Sequence, residues 1–383
     1  MKIALNAVAF APGQMGGVET YFRNLIRSLQ QVDTVNDYYV ICSRRYIESL
    51  AISNPHFTPL PSRYAKPSPL WYFRVALRDT VGFDILRPAM NRLKMDIVHH
   101  PFSFLNPMGL RSPSVLTFID MQHEFFPEYF SPRTLQFRKA FYRPSAEKAA
   151  HIIAISEHAK TCLVSRYGIT PDKISAIHIG YDPHYMVIND TPRLESLRAK
   201  YSLHKPFMYY PAATWPHKNH KRLLAALRIM KDRCRFDGQL VFSGIAMQEN
   251  DAVLEEINRL GLQNDVVILG YLPHAELPYL YNLARLMVFP SLYEGFGIPL
   301  VEAMACGCPV ACSNTTSIPE VVGDAAVTFD PGSAEEMAEK IWAIWNDDVL
   351  LCDLKTKGLG RAGQFSWENM ARQTVQVYKK AAR

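Results

Sequence analysis

The sequence predicts an α/β fold made of two doubly wound domains, each built on a parallel sheet. Short apolar runs alternate along the whole chain with stretches of helical period, and this alternation is typical of parallel strands joined by helices. The chain has 383 residues, more than an ordinary single domain, and 48% of them are hydrophobic. Length and composition therefore allow two hydrophobic cores.

Apolar segments of strand length give the elements in order. The first half of the chain contains the candidate strands Ile3–Ala9, Tyr38–Cys42, Ile97–His100, Ser114–Phe118, His151–Ile155 and Ile174–Ile177. The second half repeats the pattern with Phe207–Pro211, Gln239–Ser243, Val266–Leu269, Leu286–Phe289, Val310–Cys312 and Ala326–Phe329. A helical period after the first strand is marked by Tyr21, Leu25, Ile26 and Leu29.

Turn residues separate the two halves. The segment 180–204 contains Asp-Pro and Thr-Pro dipeptides and lacks a sustained helical period. We therefore predict an N-terminal domain at residues 1–185, a linker at 186–204, a C-terminal domain at 205–364 and a final helix within 365–383. Ser366 is the expected cap of that helix, with Glu368 in its first turn.

Cysteine usage indicates a cytoplasmic protein. The seven cysteines are odd in number and form no C-x-x-C pair, so we expect reduced thiols. Cys306, Cys308 and Cys312 are close enough in sequence to suggest a metal site, but their small, apolar surroundings predict buried core thiols. The first residues, MKIALNAVAF, are interpreted as a strand and not as a signal peptide, because Asn6 interrupts the apolar stretch. No apolar run approaches the length of a membrane span.

The segment Val288–Glu302, VFPSLYEGFGIPLVE, carries most of the functional information. It places Glu294 and Glu302 on either side of a glycine-rich turn that follows a buried strand and starts a helix. Backbone amides there favour a phosphate, and Glu302 is suited to accept hydrogen bonds from a ribose diol. The residues expected around the phosphate are Gly295, Phe296, Gly297, Ile298, Leu300 and Val301.

This segment resembles the E-x7-E signature of the retaining glycosyltransferases of family 4, two-domain enzymes of the GT-B fold that use nucleotide-diphosphate sugars. Other stretches match the family in order over nearly the whole chain: GGVE at 16–19, HEFFPEYFSP at 123–132, IIAISEHAK at 152–160, WPHKNH at 215–220 and IPEVVGDAA at 318–326. The resemblance implies two Rossmann-like domains facing across a cleft. It also implies a last helix that crosses back onto the N-terminal, acceptor-side domain.

The resemblance further implies a mechanism. A sugar would pass from a nucleotide-diphosphate sugar to a hydroxyl of a glycan or polyprenyl-linked acceptor, with retention, by a front-face displacement in which the leaving phosphate helps to deprotonate the acceptor. Glu294 would hold hydroxyls of the donor sugar, and Glu302 the ribose. No metal or other cofactor is expected, because no D-x-D motif follows a strand. Chains that share WPHKNH favour a mannosyltransferase that uses GDP-mannose in bacterial surface polysaccharide synthesis.

Two loops complete the predicted donor site. Gly16 and Gly17 follow the first strand, where the backbone can approach the donor phosphate or the acceptor. Lys218, at the centre of WPHKNH, is the candidate to pair with the leaving diphosphate. Many relatives carry an arginine six residues before this lysine, whereas this chain has Ala212. The group that replaces this arginine is not identified by the sequence.

The acceptor-side motif departs from the family. Relatives often have Thr-x-His-Asp after the fourth strand of the first domain, and this chain has isoleucine at the histidine position, followed by Asp120. His123, three residues on, reaches the same space if the segment turns helically, and is otherwise a packing residue. We assign Asp120 and His123, together with Glu294, as the candidate catalytic residues.

Charge indicates a second partner. Between Arg63 and Lys94, basic residues outnumber acidic ones and are interleaved with aromatic side chains, as in segments that lie on an anionic bilayer. An ordinary two-faced helix is the alternative, and peripheral attachment to the inner face of the membrane follows only from the first interpretation. The net charge of +6 and the absence of a recognition motif argue against nucleic acid.

Two other functional classes stay open at this point. A catalytically inactive nucleotide-sugar-binding subunit is favoured by the two departures from the family pattern. An NADP-dependent oxidoreductase would use the N-terminal glycine loop, with Arg44 and Arg45 as readers of a 2'-phosphate. That loop reads G-x-x-G-G and not G-x-G-x-x-G, which weakens the oxidoreductase interpretation.

Overall fold

The computed structural model describes residues 1–382 and divides them into two compact units. The first unit comprises residues 1–180 together with the segment that begins at Ser366, and the second comprises Tyr181–Phe365. The division therefore falls at residue 180, five residues before the predicted end of the N-terminal domain. The C-terminal segment belongs to the first unit although it follows the second in sequence.

The first unit is built on a parallel sheet with the strand order β3-β2-β1-β4-β5-β6-β7. Every strand pair in it runs parallel, and β1 pairs with both β2 and β4, so the strand order reverses direction beside β1. The strands are β1 Lys2–Asn6, β2 Asp37–Cys42, β3 Phe57–Pro61, β4 Ile97–His100, β5 Ser114–Phe118, β6 His151–Ala154 and β7 Ile174–Ala176.

Helices join these strands and complete the first unit. The first helix buries Tyr21, Leu25, Ile26 and Leu29, the residues whose spacing predicted it, and it packs against the C-terminal helix. The oxygen Oγ of Ser366 caps the C-terminal helix by accepting the Asn369 amide at 3.0 Å. The helices are α1 Gly17–Val32, α2 Arg44–Ile47, α3 Pro69–Val81, α4 Leu86–Arg92, α5 Gln122–Phe125, α6 Pro132–Lys148, α7 Glu157–Tyr167 and, at the end of the chain, α16 Trp367–Ala381.

The second unit repeats the sheet architecture with the order β10-β9-β8-β11-β12-β13. All its strand pairs are parallel, and β8 lies between β9 and β11. Its strands are β8 Phe207–Pro211, β9 Gln239–Ser243, β10 Val266–Ile268, β11 Leu286–Phe289, β12 Val310–Ser313 and β13 Ala326–Phe329. Its helices are α8 Thr191–Lys200, α9 His220–Cys234, α10 Asn250–Arg259, α11 Leu277–Leu283, α12 Ile298–Ala305, α13 Ile318–Val322, α14 Ala334–Trp345 and α15 Asp348–Ala362.

The predicted strands are confirmed within a few residues, with one omission. Strand β3, whose sequence is FTPLP, was not among the predicted strands; prolines are uncommon within strands. It occupies the edge of the first sheet, where the missing N–H groups of Pro59 and Pro61 cost least. The first strand also ends earlier than expected, at Asn6, although Ala7 and Val8 remain buried.

The predicted linker is the main correction to the chain organisation. Residues 186–204 contain helix α8, which packs against α11 in the second unit. The Thr-Pro dipeptide that suggested a turn starts this helix: Asp190 caps it, and its oxygen Oδ1 accepts the Arg193 amide at 3.1 Å. Proline is well tolerated in a first helical turn because the amide it lacks has no partner there.

Two expectations about composition can be compared with the structure. All seven cysteines are free, and Cys306, Cys308 and Cys312 are buried, as core thiols would be. Among the residues that the structure describes, no helix is both long enough and apolar enough to cross a membrane.

Candidate active site

The predicted donor-binding loops of the second unit start from two neighbouring strands. β8 and β11 are adjacent in the sheet, with β9 to one side and β12 to the other, so the strand order reverses between them. Their carboxyl ends lie at the same edge because the strands are parallel. Such a point in a doubly wound sheet is where ligands bind. WPHKNH follows β8, and the E-x7-E segment follows β11.

Hydrogen bonds tie these two loops to each other. Asn219 has left-handed backbone geometry, with φ at 61°. Its Nδ2 donates to the carbonyl oxygen of Pro290 at 3.0 Å and to that of Pro331 at 2.9 Å. The Leu292 amide donates to the carbonyl of His217 at 2.8 Å. The Asn219 side chain is therefore occupied in holding the loops together.

Lys218 and Glu294 form an ion pair between the two loops. The Lys218 Nζ lies 2.5 Å from Glu294 Oε1, and the side chains are 17% and 13% exposed. The same ammonium lies 5.5 Å from the ring centre of Phe289. An ammonium has three N–H donors, so the bond to Glu294 leaves Lys218 able to contact an anion as well.

The backbone on either side of Glu294 is held by the loop that follows β12. The Glu294 amide donates to Thr316 Oγ1 at 3.2 Å. Ser317 Oγ donates to the carbonyl oxygens of Glu294 and Phe296, at 3.0 and 3.1 Å. These bonds fix the turn between Glu294 and the next helix. Thr316 and Ser317 were not predicted, because the sequence does not indicate which hydroxyl faces a loop some twenty residues away.

The turn requires a glycine at position 297. Gly297 has φ at +100°, and a Cβ there would lie 2.9 Å from Leu300 Cδ1. The residue allows α12 to begin directly at Ile298. One detail of the prediction is corrected: the Leu300 amide donates to the Gly297 carbonyl at 3.0 Å, which closes the first turn, and so it is not free for a phosphate. Gly295, Phe296, Ile298 and Val301 lie in the turn and the first turn of the helix, as expected.

Glu302 is held by side chains from outside its own helix. The Tyr281 hydroxyl donates to Glu302 Oε2 at 3.1 Å, and Tyr185 forms a second hydrogen bond with the same carboxyl. Burial raises the pKa of Glu302, and the charge of Asp182 raises it further. The two hydrogen bonds lower this pKa, and the net result is a value of about 7. Burial thus favours the protonated form of this carboxyl.

The first unit contains a pocket of about 270 Å³ at the carboxyl edge of its sheet. Its walls come from the loops after β1, β3, β4 and β5 and from α1 and α6. The lining residues are Ala9, Ala11, Gln14, Met15, Val18, Lys66, Phe102, Ser103, Phe104, Ile119, Asp120, Arg138 and Tyr142. Aromatic faces and charged groups of both signs make the pocket suitable for a polyhydroxylated ligand.

Asp120 lies on the wall of this pocket and is paired with Arg138. Arg138 Nη1 donates to Asp120 Oδ1 at 3.0 Å, and the Gln122 amide donates to the same oxygen at 3.2 Å. The guanidinium also lies over the rings of Phe130 and Tyr142, at 4.5 and 5.3 Å. Arg138 is a site residue that the sequence did not reveal, because it lies on α6, outside the motif.

His123 is buried and is not among the residues that line the pocket. Its ring centre lies 5.0 Å from that of Tyr142, and its Nε2 lies 3.2 Å from the Tyr167 hydroxyl. Burial, with a smaller contribution from Arg138, lowers the pKa of His123 to about 4. The structure therefore places His123 behind Tyr142, in the packing environment that was the alternative to a catalytic position.

Gly16 and Gly17 lie at the start of α1, beside the same pocket. Gly16 has φ at +51°, and a Cβ at either glycine would meet no atom within 4 Å. The preceding loop is folded back onto α1, because the Gly13 amide donates to Glu19 Oε2 at 2.6 Å. Gln14 and Met15 of this loop line the pocket. The two glycines thus belong to the first unit, while the other predicted donor-binding residues belong to the second.

Comparison with known proteins identifies the family. Residues 195–359 match the family described as glycosyl transferases group 1, and residues 15–185 match glycosyltransferase family 4. The O-antigen chain mannosyltransferase B of Escherichia coli is 32% identical over 284 residues, 74% of this chain and 74% of that protein. The serotype-specific mannosyltransferase WbdA of E. coli is 31% identical over 269 residues, 67% of this chain but only 33% of WbdA, so this chain spans about a third of it.

Solved structures share the fold. HepE of Anabaena, in complex with UDP and glucose, matches with a TM-score of 0.75 and 20% identity over 99% of this chain and 100% of that one. WaaG, a glycosyltransferase involved in lipopolysaccharide biosynthesis, matches with a TM-score of 0.72 and 15% identity over 98% of this chain and 99% of that one. The fold is that of the GT-B class, and the family models and the mannosyltransferase relatives identify a sugar-transferring enzyme. The chain belongs to glycosyltransferase family 4, and this removes the oxidoreductase alternative.

Proposed function

We propose that the enzyme transfers a mannosyl group from GDP-mannose, with retention of anomeric configuration, to a hydroxyl of a glycan or polyprenyl-linked acceptor. The reaction would belong to the synthesis of a bacterial surface polysaccharide. Support for the sugar comes from the two mannosyltransferase relatives, one of which acts on the O-antigen chain by its name. A cytoplasmic location would give the enzyme access to nucleotide sugars.

The observation that carries the proposal is the ion pair of Lys218 and Glu294 at the point where the second sheet reverses its strand order. A carboxylate and an ammonium held together suit the junction of a sugar and a diphosphate. Glu294 would accept hydrogen bonds from hydroxyls of the donor sugar, and Lys218 would contact an oxygen of the diphosphate. The remaining phosphate charge would be stabilised by the Ile298 amide and the start of α12.

The proposed reaction needs little covalent chemistry from the protein. The acceptor oxygen attacks the anomeric carbon on the face from which the diphosphate departs, and an oxygen of the leaving phosphate takes the acceptor's proton. The protein holds the reactants and stabilises the charge that develops on the diphosphate. No cofactor or metal is part of this proposal, since Lys218 and the helix N-terminus supply positive charge.

The acceptor would bind in the pocket of the first unit. Phe102, Phe104 and Tyr142 offer ring faces, and the paired charges of Asp120 and Arg138 offer an acceptor and donors to sugar hydroxyls. Asp120 is the better candidate for contact with the reacting hydroxyl, because it lines the pocket and His123 does not. His123 would act indirectly, by fixing the ring of Tyr142.

An anionic membrane surface is a further proposed partner, through helix α3. Its exposed side chains include Tyr72 and Phe73, each 59% exposed, and Val81, 70% exposed, beside the polar Asp79 and Thr80. Fewer basic residues of this region lie at the surface than the sequence suggested. Arg74 is fully buried and paired with Asp84, so neither side chain belongs to the surface. Arg78 pairs with Asp79. The other basic residues of the segment are Arg63, Lys66, Arg87, Arg92 and Lys94. Exposed aromatic side chains within a basic segment suit anionic lipid.

A panel of nucleotide sugars tests the donor assignment. We expect GDP-mannose to raise the melting temperature of the protein more than GDP-fucose, UDP-glucose or UDP-galactose does, because a ligand that binds the folded state stabilises it. Glu302→Ala is the matched control, and it should reduce the shift. A larger shift with a UDP sugar would reject GDP-mannose. Stabilisation without turnover on any mannosyl acceptor would favour the inactive binding subunit.

A further inference from the structure

The Glu302 carboxyl stands at one end of a chain of buried polar groups. Tyr281, on α11, donates to Glu302 Oε2 at 3.1 Å. Tyr185, in the segment that precedes α8, also bonds the carboxyl, and its hydroxyl oxygen lies 3.2 Å from His274 Nε2. The two tyrosines are 1% and 2% exposed. Two buried hydroxyls thus converge on the carboxylate that the family resemblance assigns to the donor ribose, a role that the proposed function adopts.

The polar contacts continue beyond Tyr185. Its hydroxyl and His274 Nε2 are within hydrogen-bond distance, and either atom can be the donor. The His274 ring lies 4.8 Å from that of His184, and His184 Nδ1 lies 2.9 Å from Asp182 Oδ1. The chain therefore runs from His274 through Tyr185 to Glu302.

Other titratable groups face the carboxyl from the surrounding elements. Asp182 approaches from the segment that carries Tyr185, and Tyr209 from β8. Cys306 lies one turn further along α12. From α15, Lys355 packs against Gly307, beyond Cys306. The tyrosine hydroxyls are the groups that hydrogen-bond the carboxyl and favour its ionised form.

We propose that Tyr281 and Tyr185 are positioning residues for the donor nucleotide, which orient the Glu302 carboxylate toward the ribose and couple nucleotide binding to release of a proton from that carboxyl. The inference rests on the proposed function, because it takes Glu302 as the ribose contact. An ionised carboxylate can accept from both ribose hydroxyls, whereas a protonated carboxyl has lost part of this capacity. Binding therefore selects the ionised form, and the proton passes to solvent.

The test is a titration of the full-length protein with GDP-mannose between pH 6 and pH 8, by calorimetry in two buffers of different ionisation enthalpy. UDP-glucose serves as a second probe. Both ligands are diphosphate diesters, so no phosphate of theirs titrates in this range. We expect the affinity of the unmodified protein to rise with pH. Binding should release protons at pH values below the midpoint of this change in affinity.

Variants separate positioning from a structural effect. Tyr281→Phe should weaken binding at pH 7 by about three- to tenfold and move the midpoint to higher pH, because a bond that favours the ionised carboxyl is lost. Tyr185→Phe is the second variant and should move it in the same direction. Glu302→Gln should bind weakly at every pH, without proton release. Tyr279→Phe is the control. Tyr279 is on the same helix as Tyr281, but its ring contacts the Arg193 guanidinium. This variant should change neither the affinity at pH 7 nor the midpoint of the pH dependence.

The outcomes distinguish this inference from the proposed function. An affinity that does not vary between pH 6 and pH 8, or a midpoint unchanged in folded Tyr281→Phe and Tyr185→Phe, overturns the coupling even if Glu302→Gln still loses binding. In that case the ribose contact stands. Failure of the unmodified protein to bind either probe overturns the donor assignment and this inference together.

Discussion

The ammonium of Lys218 lies 2.5 Å from the Glu294 carboxylate, although the two residues are 76 positions apart in the chain. The pair joins the loops after β8 and β11, so it connects the group proposed to contact the diphosphate with the group proposed to hold the sugar. Each residue therefore orients the other before a donor binds.

This pair gives the first prediction. Lys218→Ala should lower kcat/KM for sugar transfer by about 10²- to 10³-fold, because the developing charge on the diphosphate loses a preorganised cation. Lys221 offers a matched control, since it forms a 2.6 Å pair with Glu249 but is 51% exposed. Lys221→Ala should change kcat/KM by less than about twofold. Steady-state kinetics that show more than a tenth of the activity in Lys218→Ala would reject its role.

Asp120 and His123 are expected to respond differently to substitution. Asp120→Asn should lower the transfer rate by about 10²-fold or more, because the residue lies on the wall of the proposed acceptor pocket. His123→Phe, which keeps an aromatic ring against Tyr142, should keep the rate within about tenfold at neutral pH. A rate reduced by two to four orders of magnitude in folded His123→Phe would restore the catalytic interpretation of His123 that the sequence suggested.

His123 should also contribute to acid sensitivity. Its pKa is lowered to about 4 in the folded protein by burial, whereas the unfolded chain protonates near the ordinary value of 6.5. Protons therefore bind the unfolded state preferentially as the pH falls from about 6.5 to about 4, and stability is lost over that range. The unmodified protein should lose free energy of unfolding between pH 7 and pH 5, and His123→Phe should make this loss smaller by about 2 kcal/mol. Urea unfolding at both pH values measures it. Equal losses in the two proteins would contradict the burial of this group.

Membrane association through α3 can be measured with vesicles. The protein should bind vesicles that contain phosphatidylglycerol at low salt and dissociate as salt rises, because exposed charges are screened. Substituting Tyr72 and Phe73 by serine should weaken binding by about tenfold or more through lost burial of two rings. Tyr271→Ser removes a tyrosine that is 74% exposed in the second unit, and it should have no effect. Equal binding to neutral and anionic vesicles, or none to either, would argue for an ordinary solvated face.

The position of the C-terminal helix makes a prediction about stability. A Cβ added to Gly180 would lie 2.3 Å from the Trp367 amide nitrogen, a backbone atom that cannot turn aside. Gly180→Ala should therefore destabilise the protein by about 1–3 kcal/mol. Gly360→Ala, in the last turn of α15 with nothing within 4 Å of the new methyl group, should instead stabilise it by up to about 1 kcal/mol. Melting temperatures that move in the same direction for both variants would contradict this packing.

Local sequence predicted the sheets well because their strands are continuous apolar runs. Segments such as Ile97–His100 and Leu286–Phe289 match observed strands end to end. Helix α8 was missed because its Thr-Pro dipeptide was interpreted as a turn, although a first helical turn tolerates proline. Strand β3 was not among the predicted strands, and its two prolines lie at a sheet edge, which also tolerates them. Whether a proline-containing segment forms a strand or a helix therefore depends on its position in the fold and not on its composition alone.

The site was predicted in part. The motifs suggested Lys218, Glu294 and Glu302 as site residues, and the structure brings the loops that carry Lys218 and Glu294 to one edge of the second sheet. The pairing of Lys218 with Glu294 depends on loop geometry that no local pattern encodes. The same limit applies to Arg74, which counted toward a basic surface in the sequence but is buried against Asp84 in the structure, 2.6 Å away.

The most direct test of the central claim is a transfer assay with the purified protein, GDP-mannose and a mannosyl acceptor, with the product linkage read by NMR. We expect an α-mannosyl linkage, which retains the configuration of the donor, and equal rates with and without excess EDTA, because Lys218 and the start of α12 stabilise the leaving diphosphate. A β-linked product would contradict the retaining mechanism. Strict dependence on added Mg²⁺ or Mn²⁺ would contradict the role given to Lys218 and the helix.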